Sequence, residues 1–163
     1  MRVFRIALQQ FGATAKDAFS GQSGFWADGR WHTRARYLDY AAESRSLATL
    51  ERLVHYKRFN CLAPHVIYEV DVPDTEIDIV PAFPKGWDGD DLLPAAQSIG
   101  DTWFNKATRP ALRVPSAVTP GEHNLLLNAR HSAWSWSWVI SGPTPFYFDA
   151  RLAAMMAPYS VKA

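Results

Sequence analysis

The sequence predicts an α+β single domain with a strand-rich core and flanking helices. Three observations lead there. Short apolar runs punctuated by proline, glycine and aspartate recur along most of the chain, as strands do. Two stretches carry helix-start signals, serines at 44 and 46 and a proline at 94. A chain of 163 residues, 48% hydrophobic and 20% charged, has the balance of a globular protein and buries ~68–70% of its unfolded surface around one core. With no internal repeat, low-complexity run or long linker, residues 1–163 read as one domain.

The elements follow in order. Residues 3–8 are apolar apart from Arg5 and predict a first strand with one charged side chain out of pattern. The glycine-containing stretch from Gly12 to Gly29 has little periodicity and predicts a loop, a candidate flap. Ser44 or Ser46 caps a helix running to about Arg58, in which Leu47, Leu50 and Val54 form one stripe and Glu51 sits beside it, semi-buried. His65–Val72 alternates as a strand, and Ile77–Val80 adds a short one. Pro94 opens a second helix through Trp103 and Phe104, weakened by Gly100. Ala111–Val114 and Leu125–Leu127 predict strands; Trp134, Trp136 and Trp138, alternating with serines, predict a strand with one aromatic face, and Phe146–Phe148 a last one.

Composition removes several classes of function. Lys+Arg 17 against Asp+Glu 16 gives a net charge of +1, so no basic field draws in nucleic acid and no direct nucleic-acid partner is expected. A single Cys61 cannot form an intramolecular disulfide, and no Cys/His cluster has the spacing of a metal site, so no metal is expected. No stretch approaches the ~20 apolar residues that span a bilayer, and the amino terminus enters a strand directly. The expected setting is the cytoplasm, away from membranes.

Three segments hold residue types with chemistry to offer: Gly29-Arg30-Trp31, Tyr40 through Leu47-Ala48-Thr49-Leu50-Glu51, and Val114-Pro115-Ser116-Ala117. A guanidinium matches phosphate oxygens, an aromatic face stacks on a ring, and a carboxylate stabilises a ribose developing oxocarbenium character. The set suits a dinucleotide. Each residue also has a plainer reading. Glu51 can pair with Arg52, His55 or Arg58 on a helix surface; Arg5 can snorkel to solvent; Trp31 can belong to the core; Ser116 can close its own turn. Ser116 lacks the Gly-x-Ser-x-Gly surroundings of a hydrolase nucleophile.

Those segments, with Gly100-Asp101-Thr102-Trp103, Asn124, Asn128, His131 and Phe148-Asp149-Ala150-Arg151-Leu152, resemble in order and spacing the RES domain family, named for an arginine, a glutamate and a serine. The resemblance runs over nearly the whole chain. It departs at Arg34-Ala35-Arg36, where the family more often has a glycine, and at Ala129, where it often has proline.

The resemblance implies a fold related to ADP-ribosyltransferases and a role as toxin of a bacterial toxin–antitoxin pair, with NAD+ as substrate. Its expected partner is an Xre-type helix-turn-helix antitoxin, in a hetero-oligomeric complex containing a homodimer; the tryptophan face suits either contact. Carried over by position, Glu51, Arg30 and Ser116 are the candidate catalytic residues, and Arg5, Arg30, Trp31, Tyr40 and Ser116 the candidate NAD-binding residues. Cleavage of the nicotinamide–ribose bond with transfer to water or phosphate is the first expectation. ADP-ribosyl transfer to a host protein and a non-catalytic nucleotide- or antitoxin-binding module are the alternatives.

Overall fold

A computed structural model describes residues 1–55, 63–89, 91 and 93–155. Seven strands form one sheet in the order β4-β5-β6-β2-β1-β3-β7. They are β1 (Arg2–Leu8), β2 (Asp39–Ala42), β3 (His65–Asp71), β4 (Ile77–Ile79), β5 (Ala111–Pro115), β6 (His123–Leu127) and β7 (Val139–Phe146). Only the β4–β5 pair is parallel. The helices are α1 (Ala15–Ala18), α2 (Gln22–Trp26), α3 (Arg45–Val54), α4 (Pro94–Lys106) and α5 (Ala150–Met155). Among the described residues no helix is long and apolar enough to cross a membrane.

Side chains alternate across a strand, so register assigns each residue to a face. One face carries Val3, Ala41, Tyr68, Val70, Leu125 and Leu127, buried beneath Ala18, Phe19 and Trp134. The other carries Leu112, Val114 and Leu126 under Trp31, Ala96 and Trp103, and Ile6, Ala42 and Ile67 under Leu47 and Ala48. Thus α3 and α4 both pack on this second face. The α3 contact joins Leu47 and Ala48 to Ile6, Ala42 and Ile67 of the sheet.

Ser44 caps α3, its hydroxyl accepting from the Leu47 amide at 3.0 Å and donating to Glu122 at 2.9 Å. The buried stripe of α3 differs from the expected one. Leu50 and Val54 are 41% and 57% exposed, whereas Leu47 and Ala48 are buried. Glu51, four after Leu47 and three after Ala48, therefore lies in the middle of the sheet-facing surface rather than at its margin. The expected continuation to Arg58 falls outside the described residues, as does Cys61.

Three further expectations are corrected. The stretch from Gly12 to Gly29 contains α1 and α2 rather than a plain loop; Thr14 and Asp17 form a reciprocal capping box that starts α1. The tryptophan segment is a 3-10 turn at Trp136–Trp138, not a strand, because the Ser135 hydroxyl accepts from the Ser137 amide and closes the turn locally. The last strand is β7, ending at Phe146 and containing Pro143 and Pro145. Prolines argue against a central strand, but β7 is an edge, where a missing N–H faces no partner.

Gly100 inside α4 answers to packing. A Cβ there would stand 1.9 Å from the Trp31 carbonyl oxygen, so the helix touches the Trp31 backbone directly. At the departure Arg34-Ala35-Arg36, Ala35 holds φ at 69°, the left-handed region where a glycine carries no Cβ penalty.

Two stability outcomes follow. Gly100→Ala lowers the urea-unfolding free energy by about 1–3 kcal/mol through overpacking, although alanine in an uncrowded helix would gain about 1 kcal/mol; a stabilised variant would show that α4 and the Trp31 loop are not in contact. Ala35→Gly raises it by about 0.5–1 kcal/mol, and a loss would mean the left-handed turn is absent in solution.

Candidate active site

The pairing register gathers one group of polar side chains on the α3/α4 face. Tyr40 pairs with Leu126, Ala42 with Asn124, and Asn124 with Val114, two residues before Ser116. Tyr40, Asn124 and Ser116 therefore share a face, and Glu51 descends onto it from α3.

Glu51 is half-buried and anchored at one oxygen. The Ser116 hydroxyl donates to its Oε1 at 2.8 Å and the Asn124 amide Nδ2 donates to the same atom at 2.6 Å. Its Oε2 makes no hydrogen bond among the described residues. Ser116 is 2% exposed, and its Oγ also accepts from the amides of Val118 and Thr119, each at 3.0 Å. With its proton directed to a carboxylate and its lone pairs facing two N–H groups, this hydroxyl orients Glu51 and is not an activated nucleophile.

Tyr40 lies along the same face, half-buried, with its hydroxyl 2.9 Å from His32 Nδ1. Burial pushes its phenol well above the ordinary range; the Glu51 charge adds to the shift, while the Trp31 backbone and the Arg30 charge oppose it.

Arg30 and Trp31 sit in a tight turn in which the Gly29 amide donates to the His32 carbonyl at 2.9 Å. Helix α4 holds this turn. Gln97 Nε2 donates to the Gly29 carbonyl at 3.0 Å, and Asp101 accepts from the Thr33 amide and hydroxyl at 3.0 and 2.7 Å. Arg30 Nη1 donates to the carbonyls of Trp87 and Gly89 at 2.6 and 2.8 Å, tying the 84–89 loop to the site. Its remaining nitrogens make no hydrogen bond among the described residues.

Two expected ligand-binding residues stand apart. Trp31 is 2% exposed and packs against Phe83 and Trp87, so its ring offers no open face. Arg5 points to the opposite side of the sheet, as the residue between Phe4 and Ile6 must. There its Nε donates to Ala18 O at 2.6 Å, Nη1 to Tyr40 O at 2.9 Å and Nη2 to Asp39 Oδ1 at 2.6 Å. Buried Asp39 also accepts from the Ser23 hydroxyl and the Gly21 amide. Arg5 thus secures the α1–α2 segment instead of facing the Glu51 site.

Asn124 and His32 are the functional candidates that residue type alone did not select. Asn124 was visible only as part of an ordered pattern, since an asparagine beside three leucines carries no chemical signature of its own. Among the described residues no cluster of His, Cys, Asp and Glu offers a metal site. Two surface hollows, around Arg113 and Asp74 and around Gln9 and Pro64, include none of the residues just described.

The seven-stranded sheet with α3 and α4 on one face, and the anchored Glu51 on α3, makes an α+β fold. The RES domain model matches residues 2–148, and the chain belongs to that family. A protein named Toxin Res from Yersinia enterocolitica serotype O:8 / biotype 1B is 30% identical over 154 residues, spanning 93% of this chain and 99% of the relative. A Sphingobium protein named Prs ADP-ribosylating toxin is 33% identical over 120 residues, 71% of this chain and 74% of the relative. A chain of the crystal structure of the M. tuberculosis MbcT–MbcA toxin–antitoxin complex has the same fold, with a TM-score of 0.64 at 16% identity, covering 95% of this chain and 87% of the other.

Burial holds both His32 and His65 below the ordinary imidazole value, with His65 further lowered by the Arg52 charge. The unfolded chain then binds protons that the folded chain resists, so stability falls as pH drops below about 6.5. Urea midpoints between pH 7.5 and 5.5 should decrease, and His65→Gln should flatten the slope. A level profile in the wild type would mean that neither imidazole resists protonation.

Proposed function

We propose that this protein is the toxin of a toxin–antitoxin pair and that it breaks the nicotinamide–ribose bond of NAD+. The observation carrying this reading is Glu51, on the face that Tyr40 shares, with Oε1 held by Ser116 and Asn124 and Oε2 making no hydrogen bond among the described residues.

Nicotinamide is attached to ribose as a cation and departs neutral. The C1′–N bond breaks with its electron pair passing to the ring nitrogen, so no general acid is needed. Positive charge develops on the ribose, and a carboxylate fixed by two donors stabilises it without reorganising. Water or phosphate then bonds to C1′, water losing a proton. Glu51 Oε2 faces the ribose, Tyr40 packs against the nicotinamide or its ribose, and the free nitrogens of Arg30 receive the diphosphate. Arg5 and Trp31 support the site from behind.

A second reading has the same transition state captured by a side chain of a host protein, favoured by the relative named as an ADP-ribosylating toxin. The expected partner is an Xre-type helix-turn-helix antitoxin; the fold neighbour from a toxin–antitoxin complex supports an antitoxin partner, though not its type. Leu50 and Val54, exposed on the helix that bears Glu51, supply apolar surface for such a contact.

Purified protein incubated with NAD+ should release nicotinamide, and Glu51→Gln should lower kcat by about 10²–10³-fold with an unchanged melting temperature. Asn124→Ala, which frees Oε1 from one charge-assisted bond, should cost about 10–100-fold in kcat. Labelled protein in place of free ADP-ribose selects host-protein modification; no consumption of NAD+ by any preparation selects a binding module.

A further inference from the structure

We propose that His32 is a positioning residue that fixes the Tyr40 hydroxyl as a hydrogen-bond acceptor toward the ligand, a role that rests on the NAD+-cleaving reading above. The imidazole is 2% exposed and sits in a slot lined by two glycines. A Cβ on Gly29 would stand 2.4 Å from His32 Cε1, 2.6 Å from Nδ1 and 2.8 Å from the Tyr40 hydroxyl, and one on Gly24 would stand 3.0 Å from Nε2. The first glycine of Gly29-Arg30-Trp31 therefore makes room for the His32–Tyr40 pair, not only for a turn.

The slot decides the protonation of the ring. Burial favours the neutral form over the opposing influence of Asp101, of the Gly24 and Ala27 carbonyls beside the ring, and of Asp28. A neutral imidazole has one N–H. The Tyr40 phenol stands 2.9 Å from Nδ1. A phenol O–H is a stronger donor than a neutral imidazole N–H, and the ring nitrogen is the stronger acceptor, so the ring proton belongs on Nε2, leaving Nδ1 to accept from Tyr40. Nε2 itself has no hydrogen-bond partner among the described residues. The phenol spends its only proton on His32. What remains of Tyr40 is an acceptor, suited to an O–H or N–H of the ligand such as a ribose hydroxyl or a carboxamide.

This assigns the pair to ligand binding rather than to proton transfer. A phenol committed in this way cannot donate to a leaving group, in keeping with nicotinamide departing unprotonated.

Two measurements on the full-length protein test the assignment. In 15N spectra of the wild type, His32 should show a neutral ring protonated at Nε2 with Nδ1 accepting, and the Nδ1 resonance should shift in Tyr40→Phe. A ring protonated at Nδ1, or one indifferent to Tyr40→Phe, overturns the proposal without reference to catalysis. In steady-state kinetics, His32→Leu and Tyr40→Phe should each raise KM for NAD+ about tenfold, the worth of one hydrogen bond, with kcat within about twofold. The double variant should be no worse than either, and His32→Gln, which keeps an acceptor, should recover most of the loss. Additive losses, or losses confined to kcat, overturn it. If the wild type releases no nicotinamide, the NAD+ reading fails by itself, and the spectra still decide the hydrogen bond between the two rings.

Discussion

The register of β2, β6 and β5 is the constraint on which the site depends. Ala42 opposite Asn124, and Asn124 opposite Val114, bring three strands into a phase that puts Tyr40, Asn124 and Ser116 on one side. A slip of one residue would reverse every side chain, sending the leucines of β6 to the wrong cores and the amide away from Glu51. Burial of Leu125 and Leu127 on one face and Leu126 on the other makes such a slip costly, so apolar packing and polar convergence are enforced by the same pairing.

The opposite face does different work with similar chemistry. A buried guanidinium and carboxylate, Arg5 and Asp39, take up backbone carbonyls, an amide and a hydroxyl from the segment leading to the Gly29 turn. Removing one partner of such a pair leaves a charge stranded in low dielectric. Arg5 also holds the Tyr40 carbonyl, so the two faces communicate through the β2 backbone. The two arginines divide the labour: one is fully committed inside, the other keeps nitrogens available beside a loop.

Much of this architecture is legible in the sequence. The strands at residues 3–8, His65–Val72 and Leu125–Leu127 and the helix opened by Pro94 are strongly patterned, and all are present. What escapes is decided by tertiary context. Leu50 and Val54 fit the helical stripe by spacing, yet α3 leans on the sheet through Leu47 and Ala48, a rotation that only the packing partner fixes. Pro143 and Pro145 speak against a strand until β7 is known to be an edge. Trp-Ser alternation imitates a strand because hydroxyl-to-amide bonds within a turn leave no trace in periodicity. Arg5 is legible as a strand residue, but which face it takes depends on the register of its neighbours. Glu51 and Ser116 were selected by residue type and family pattern; their direct bond required two elements 65 residues apart to meet.

The edge strand β7 bears on how any other protein can hold this one. Pro143 and Pro145 occupy alternate positions, so two successive outward donors are missing from the margin of the sheet. The far margin, β4, is only three residues long. Neither border is a template for an incoming extended peptide, which protects the molecule from sideways polymerisation into ribbons. Recognition then falls to side chains laid over helices and loops, so that a binding partner reads the surface relief of this domain instead of continuing its hydrogen-bond ladder.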